Sequence, residues 1–329
     1  MKGEQTMFEN IEAVKRAVYG KVGKVIVGKE HVTELGIVTL LCGGHMLIDD
    51  VPGTGKTVFA KTFAGALSLS FKRVQCVPDM LPSDLMGVNI FDAKESEFCF
   101  VKGPVFTNIL LADEINRAMP KAQAGLLECM EEKQVSVEGN TYLLEEPFMV
   151  IATENPVETK GTFELPEAEL DRFLVKTSMG YPTHDESVEI LKRKLSVVKS
   201  MEDETCEAVD RECLVRAKRE LENVSVHEDI LSYGAEICEA TAHGKDVALG
   251  VSPRGMIALI MVARAMAALD RRDYVLPDDI KRAAIPTLAH RIVFNNSFFG
   301  RKTRGEELVE SILNTVEVPS EEIDFSCRG

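Results

Sequence analysis

The segment Asp50-Val51-Pro52-Gly53-Thr54-Gly55-Lys56-Thr57 lies between the short apolar run Met46–Ile48 and the helical pattern Val58–Leu67. A glycine-rich turn between a strand and a helix constrains the fold strongly. Its backbone N–H groups can turn inward, and the helix that follows adds unpaired N–H groups and the positive end of its dipole, a ready site for phosphate. Lys56 supplies a cation for β- and γ-phosphates, and the Thr57 hydroxyl is placed to bind Mg²⁺. Asp50 stands where the pattern G-x-x-x-x-G-K-[ST] has its first glycine. Aspartate tolerates left-handed backbone better than most residues, so the loop is expected to close through that conformation.

A second apolar run, Asn108–Ala112, ends abruptly in Asp113 and Glu114. Open α/β sheets bind ligands beyond the carboxyl ends of their strands, so these carboxylates are expected beside the phosphate loop. Asp113 would hold Mg²⁺, directly or through water, and Glu114 would activate the attacking water as general base. A third apolar run, Phe148–Thr153, leads into Glu154-Asn155-Pro156, where Asn155 either bridges a lytic water and the γ-phosphate or makes an ordinary turn before proline. Arg172 and Arg254 are candidates for arginines at the γ-phosphate; the plain alternative is a surface ion pair, such as Arg172 with Glu169. Gln75 is either a restraint on Glu114 or a sheet-edge residue, and His45 reads as structural.

Residues 1–182 alternate helical patterns with the strands Met46–Ile48, Phe71–Cys76, Asn108–Ala112 and Phe148–Ala152, as a parallel α/β sheet requires. Two insertions interrupt it. Gly87–Gly103 carries arms Val88–Phe91 and Glu97–Val101, and Gln134–Leu144 reads as a hairpin around a Gly139-Asn140 turn. Residues 183–329 read as helical, over Asp185–Lys199, Arg211–Leu221, Glu228–Ala242, Arg254–Arg271 and Asp278–Arg291. The formal net charge of −15 argues against broad contact with nucleic acid. The longest apolar run, Met256–Ala263, is too short to span a bilayer, and the N-terminus lacks a secretory signal. Eight scattered cysteines without a Cys-x-x-Cys pair read as free thiols in a reducing cytoplasm.

The ordered set Asp49–Thr57, Leu111–Arg117, Ile151–Pro156 and Leu165–Phe173, with Pro78–Gly87, Gly161-Thr162-Phe163 and Ser252-Pro253-Arg254, closely resembles the MoxR family of AAA+ ATPases. The resemblance runs from Val27-Gly28 to His290-Arg291. It implies an αβα P-loop core over residues 1–182 and an all-helical lid over 183–329, with ATP and Mg²⁺ between them. It also implies a ring, expected to be a hexamer, with sites at subunit boundaries. Lys56 and Thr57 then take the Walker A role, with Pro52, Gly53, Thr54, Gly55 and Val58 around the nucleotide and Val27 and Gly28 near the adenine. Asp113 and Glu114 match Walker B, Asn155 the first sensor, Arg172 an arginine finger acting in trans, and Arg254 the second sensor. The insertions match the helix-2 insert, about 87–103, and the pre-sensor hairpin, about 134–144. Asp50 fits too, since loops of this family usually read Asp-Val-Pro-Gly. Glu154 and Leu276 depart from the family's usual Gln and capping Thr.

The expected function is ATP-driven, chaperone-like remodelling of partner proteins, which in the family often carry von Willebrand factor A domains. The motor subunit of a metal chelatase is the alternative. A DNA motor is disfavoured, because Lys133–Glu146 holds one lysine against Glu138, Glu145 and Glu146.

Overall fold

The computed structural model describes residues 7–51, 53–155, 161–195, 209–295 and 301–319. The chain divides into two compact units: Arg16–Arg172 with Thr177–Arg211, and Met1–Lys15 with Phe173–Lys176 and Glu212–Gly329.

The elements begin with α1 (Glu9–Val25), α2 (Glu30–Leu41), β1 (Met46–Asp49), α3 (Lys56–Ala66) and β2 (Phe71–Gln75). Next come α4 (Pro82–Met86), β3 (Gly87–Asp92), β4 (Glu97–Lys102), β5 (Ile109–Asp113) and α5 (Pro120–Glu132). They continue with β6 (Gln134–Val137), β7 (Asn140–Leu143), β8 (Met149–Glu154), α6 (Glu167–Leu170), β9 (Val175–Thr177) and α7 (His184–Leu195).

Among the described residues, five strands form one sheet in the order β2-β5-β8-β1-β9. The pairs β2/β5, β5/β8 and β8/β1 are parallel. Every residue of β1 and β5, and all of β8 up to Thr153, is buried, which explains the continuous apolar runs. The edge strand β2, Phe-Lys-Arg-Val-Gln, is only partly buried and correspondingly polar. The fifth strand, β9, was not expected; three residues after Phe173-Leu174 carry too little periodicity to read.

Both insertions are antiparallel hairpins, β3/β4 and β6/β7. The turn of the second is shifted by one residue from expectation. Val137 pairs with Asn140, so Glu138 and Gly139 are the two turn residues, and both have positive φ, 49° and 83°. A two-residue type I′ turn needs that backbone at both positions, and glycine supplies it at the second.

The other unit contains α8 (Arg211–Glu220), α9 (Glu228–Ala242), β10 (Val247–Leu249), α10 (Pro253–Leu269), α11 (Pro277–Leu288), β11 (Val293–Phe294) and α12 (Arg301–Leu313). It is helical but not all-helical, because Val247–Leu249 and Val293–Phe294 pair antiparallel. The helix α10 packs on α9 and α11. Leu259, Val262 and Ala263 of its long apolar run are fully buried, each larger side chain contributing about 1.5–3 kcal/mol, while Ile257 and Met261 of the same run are exposed. Leu276 cannot act as a side-chain cap, but Asp279 accepts from its N–H at 2.8 Å. Both Asp279 oxygens also accept from Arg272 at 2.6 Å, tying the start of α11 to the turn after α10.

His45, just before β1, is buried and structural. Its Nδ1 accepts from Val150 N–H at 2.9 Å, so the proton sits on Nε2, which donates to Met130 O at 3.0 Å. Burial lowers its pKa from 6.5 to about 4. The unfolded chain therefore binds the extra proton first, and the stability present above pH 6.5 is lost as pH falls towards 4. Urea unfolding at pH 7 and pH 5 should show the parent losing roughly 2 kcal/mol more on acidification than His45→Gln. Equal losses would contradict this assignment.

Candidate functional site

The phosphate loop leaves β1 and enters α3 through two left-handed glycines, Gly53 (φ 86°) and Gly55 (φ 94°). No atom lies within 4 Å of where a Cβ on Gly53 would stand, so backbone conformation rather than crowding selects glycine there. Asp50 does not close the loop through a left-handed backbone, since it is absent from the positive-φ residues. Its carboxylate does the work instead: Oδ1 accepts from Val51 N–H at 2.8 Å and Oδ2 from Gly180 N–H at 2.9 Å. Lys56 is buried and donates to Asp50 O at 2.8 Å, folding its ammonium back across the loop. Thr54 Oγ1 donates to Val51 O at 3.3 Å. Thr57 and the exposed Val58 lie on the first turn of α3, and Pro52 lies outside the described residues.

Strand register brings the remaining groups to the same sheet edge. Gln75 pairs with Asp113, Ile48 with Thr153, and Asp49 with Glu154. Because β8 lies between β1 and β5, the loop strand and the carboxylate strand are two spacings apart, about 10 Å. Hydrogen bonds bridge that interval. Asp50 N–H donates to Glu154 O at 3.1 Å. Thr153 Oγ1 donates to Asp113 Oδ1 at 2.7 Å and accepts from Glu114 N–H at 2.8 Å.

Both carboxylates have partners on neighbouring elements. Asp113 Oδ2 accepts from Arg73 Nη2 at 2.8 Å and Nε at 3.1 Å. Glu114 Oε2 accepts from Gln75 Nε2 at 2.9 Å and from Arg117 Nη1 at 3.1 Å, so the restraint by Gln75 is present. Glu114 has φ 57°, a backbone uncommon for a residue with a Cβ. Cys76, buried beside the pair, has its thiol pushed up to about 12, first by burial and then by the charges of Asp113 and Glu114. That keeps it protonated and inert.

Asn155 is buried just beyond β8. Arg172 pairs with Glu131 on α5, Nε to Oε2 at 3.4 Å, rather than with Glu169. Burial raises the Glu169 carboxyl pKa, with the charge of Arg172 opposing. Arg254 sits in the first turn of α10, in the other unit, after the N-cap Ser252. Val27 and Gly28 lie in the turn between α1 and α2. Gly28 has φ 69°, a left-handed backbone that favours glycine, and the flexible end of the Glu186 side chain lies over it. Glu186 Oε2 accepts from Thr183 N–H at 2.9 Å and Lys29 Nζ at 3.3 Å.

The donor set suits Mg-ATP: inward-turning loop amides, one buried lysine, and the hard oxygens of Thr57 and Asp113. Sequence reading did not single out Arg73, Arg117 or Thr153. Nothing in a local pattern separates Thr153 from an ordinary strand residue, and the two arginines gain meaning only from strand order.

The sequence itself matches an ATPase family and its lid domain. Residues 45–175 match the "ATPase family associated with various cellular activities (AAA)", and residues 239–312 match the AAA lid domain. YeaC of Bacillus subtilis is 46% identical, covering 91% of this chain and 92% of YeaC. Chaperone MoxR1 of Mycobacterium tuberculosis is 36% identical, covering 96% and 85%. A Cytophaga hutchinsonii protein of known crystal structure is 36% identical, with a TM-score of 0.86 over 96% of this chain and 98% of its own.

Thr153 is fully buried and joins both carboxylate residues, so Thr153→Val should lower unfolding free energy by about 1–3 kcal/mol, read from the urea midpoint. Thr153→Ser should recover most of it. An unchanged midpoint in Thr153→Val would show that the hydroxyl bridge is dispensable.

Proposed function

The chain belongs to the MoxR family of AAA+ ATPases, and on that premise we propose that it couples ATP hydrolysis to chaperone-like remodelling of a protein partner. The observation that supports this most is the shared sheet edge, where hydrogen bonds run from Lys56 through Asp50, Glu154 and Thr153 to Asp113. Residues 1–182 would be the core and 183–329 the lid.

Lys56 would leave Asp50 O to meet the β- and γ-phosphates, and the N–H groups of Gly53–Thr57 would line them. Val27, Gly28, Thr54 and Val58 would contact the rest of the nucleotide. Magnesium, held by Thr57 and Asp113, would neutralise phosphate charge as the bond breaks. Glu114 would take the proton of the attacking water. Both its hydrogen-bond donors among the described residues converge on Oε2, which leaves Oε1 as the acceptor for that water. Asn155 would orient the same water. Arg172 would reach the γ-phosphate of a neighbouring subunit in a hexameric ring, and Arg254 would sense nucleotide from the lid. The name of MoxR1, a chaperone, supports a protein client, and family resemblance points to von Willebrand factor A domain partners in the cytoplasm. Among the described residues no helix is long and apolar enough to cross a membrane.

Glu114→Gln should retain ATP binding while turnover falls by about 10²–10⁴-fold, and Lys56→Ala should lose binding, checked by phosphate release and nucleotide titration. Normal turnover by Glu114→Gln would refute the general-base assignment. Mixing Arg172→Ala subunits with Lys56→Ala subunits should restore partial activity, because some boundaries then pair an intact loop with an intact arginine. No recovery on mixing would contradict a shared site.

A further inference from the structure

We propose that Arg73 is a positioning residue that competes with the metal for Asp113 and, through Gln75, ties one of the two side-chain restraints on Glu114 to metal loading. This rests on the reading of Asp113 as a metal ligand and Glu114 as base. Arg73 and Gln75 lie two residues apart on β2, so they project from the same face of the edge strand. The Arg73 guanidinium donates twice to Asp113 Oδ2, at 2.8 and 3.1 Å, and once to Gln75 Oε1, at 2.5 Å. Arginine only donates, so its bond to Gln75 fixes the amide with oxygen towards Arg73. The amide nitrogen must then face Glu114, where it donates to Oε2 at 2.9 Å.

Asp113 offers about four acceptor positions, and three are taken: one by Thr153 on Oδ1 and two by Arg73 on Oδ2. A dication approaching Oδ2 must displace Arg73, whose positive charge also weakens the field that attracts it. Thr153 is fully buried and cannot move aside, whereas the Arg73 side chain is 43% exposed. The guanidinium is therefore the anchor that yields, swinging into water and giving up an ion pair that is exposed on the Arg73 side and buried on the Asp113 side. Once it leaves, Gln75 Oε1 loses its donor and the amide is free to turn, so Glu114 Oε2 keeps Arg117 but loses its restraint from β2.

The test titrates Mg²⁺ into the full-length protein with a saturating fluorescent ATP analogue, reading the half-saturating Mg²⁺ concentration. Arg73→Gln should lower that concentration roughly two- to fivefold, the range that a partly exposed ion pair permits. Arg73→Lys keeps the charge but not the two-pronged contact, so its shift should be smaller than that of Arg73→Gln. An unchanged or raised value in Arg73→Gln overturns the proposal, as does a shift in Arg73→Lys equal to that in Arg73→Gln. Lys56→Ala separates this from the underlying reading. If it binds the analogue as the parent does, the nucleotide site itself is misassigned. If it loses binding while Arg73→Gln is silent, only the competition fails.

Discussion

The Thr153 hydroxyl accepts from the backbone of Glu114 and donates to the carboxylate of Asp113, and the geometry of the whole site depends on that pair of bonds. Thr153 belongs to β8, the strand between the one that feeds the phosphate loop and the one that ends in carboxylates. Its hydroxyl therefore ties the end of β5 to the strand that flanks β1. A hydroxyl can donate and accept at once, so one small, fully buried side chain satisfies a backbone donor and a carboxylate acceptor. Apolar burial of the strands sets their register, and the hydroxyl converts register into side-chain placement.

Charges at the site are arranged around that frame in a consistent way. Each potentially reactive group is held by a neighbour: Lys56 by a loop carbonyl, Asp113 by Arg73, Glu114 by Gln75 and Arg117. None of these partners is buried as deeply as Thr153, so they can exchange while the frame stays fixed. Asp50 illustrates the same economy. A residue expected to supply backbone freedom instead supplies a carboxylate that pins the loop to Gly180.

Much of this was legible in the chain. The four strands flanking the motifs were read within two residues of their observed ends, because strands buried on both faces leave continuous apolar runs. The two hairpins and the helices α8 to α11 were likewise visible, and the restraint of Glu114 by Gln75 is one of the two roles that the sequence left open. What stayed hidden depended on contacts distant in sequence. The strand β9 and the β10/β11 pair are two or three residues long, below the length at which alternation can be recognised. Arg73 reads as a polar residue on an edge strand until β2 is known to lie beside β5, and Thr153 as filler until β5 is known to lie beside β8. Arg172 pairs with Glu131, on a helix forty residues earlier, instead of the nearby Glu169, for the same reason.

The central claim is that the loop carrying Lys56 and the strand end carrying Asp113 and Glu114 serve one nucleotide. A crystal structure of the protein with Mg²⁺ and a non-hydrolysable ATP analogue tests it most directly. The account predicts a single triphosphate with Lys56 against its terminal phosphates and a metal held between Thr57 and Asp113. Phosphates bound away from the end of β5, or a metal without Asp113 in its coordination or its bound water, would contradict it.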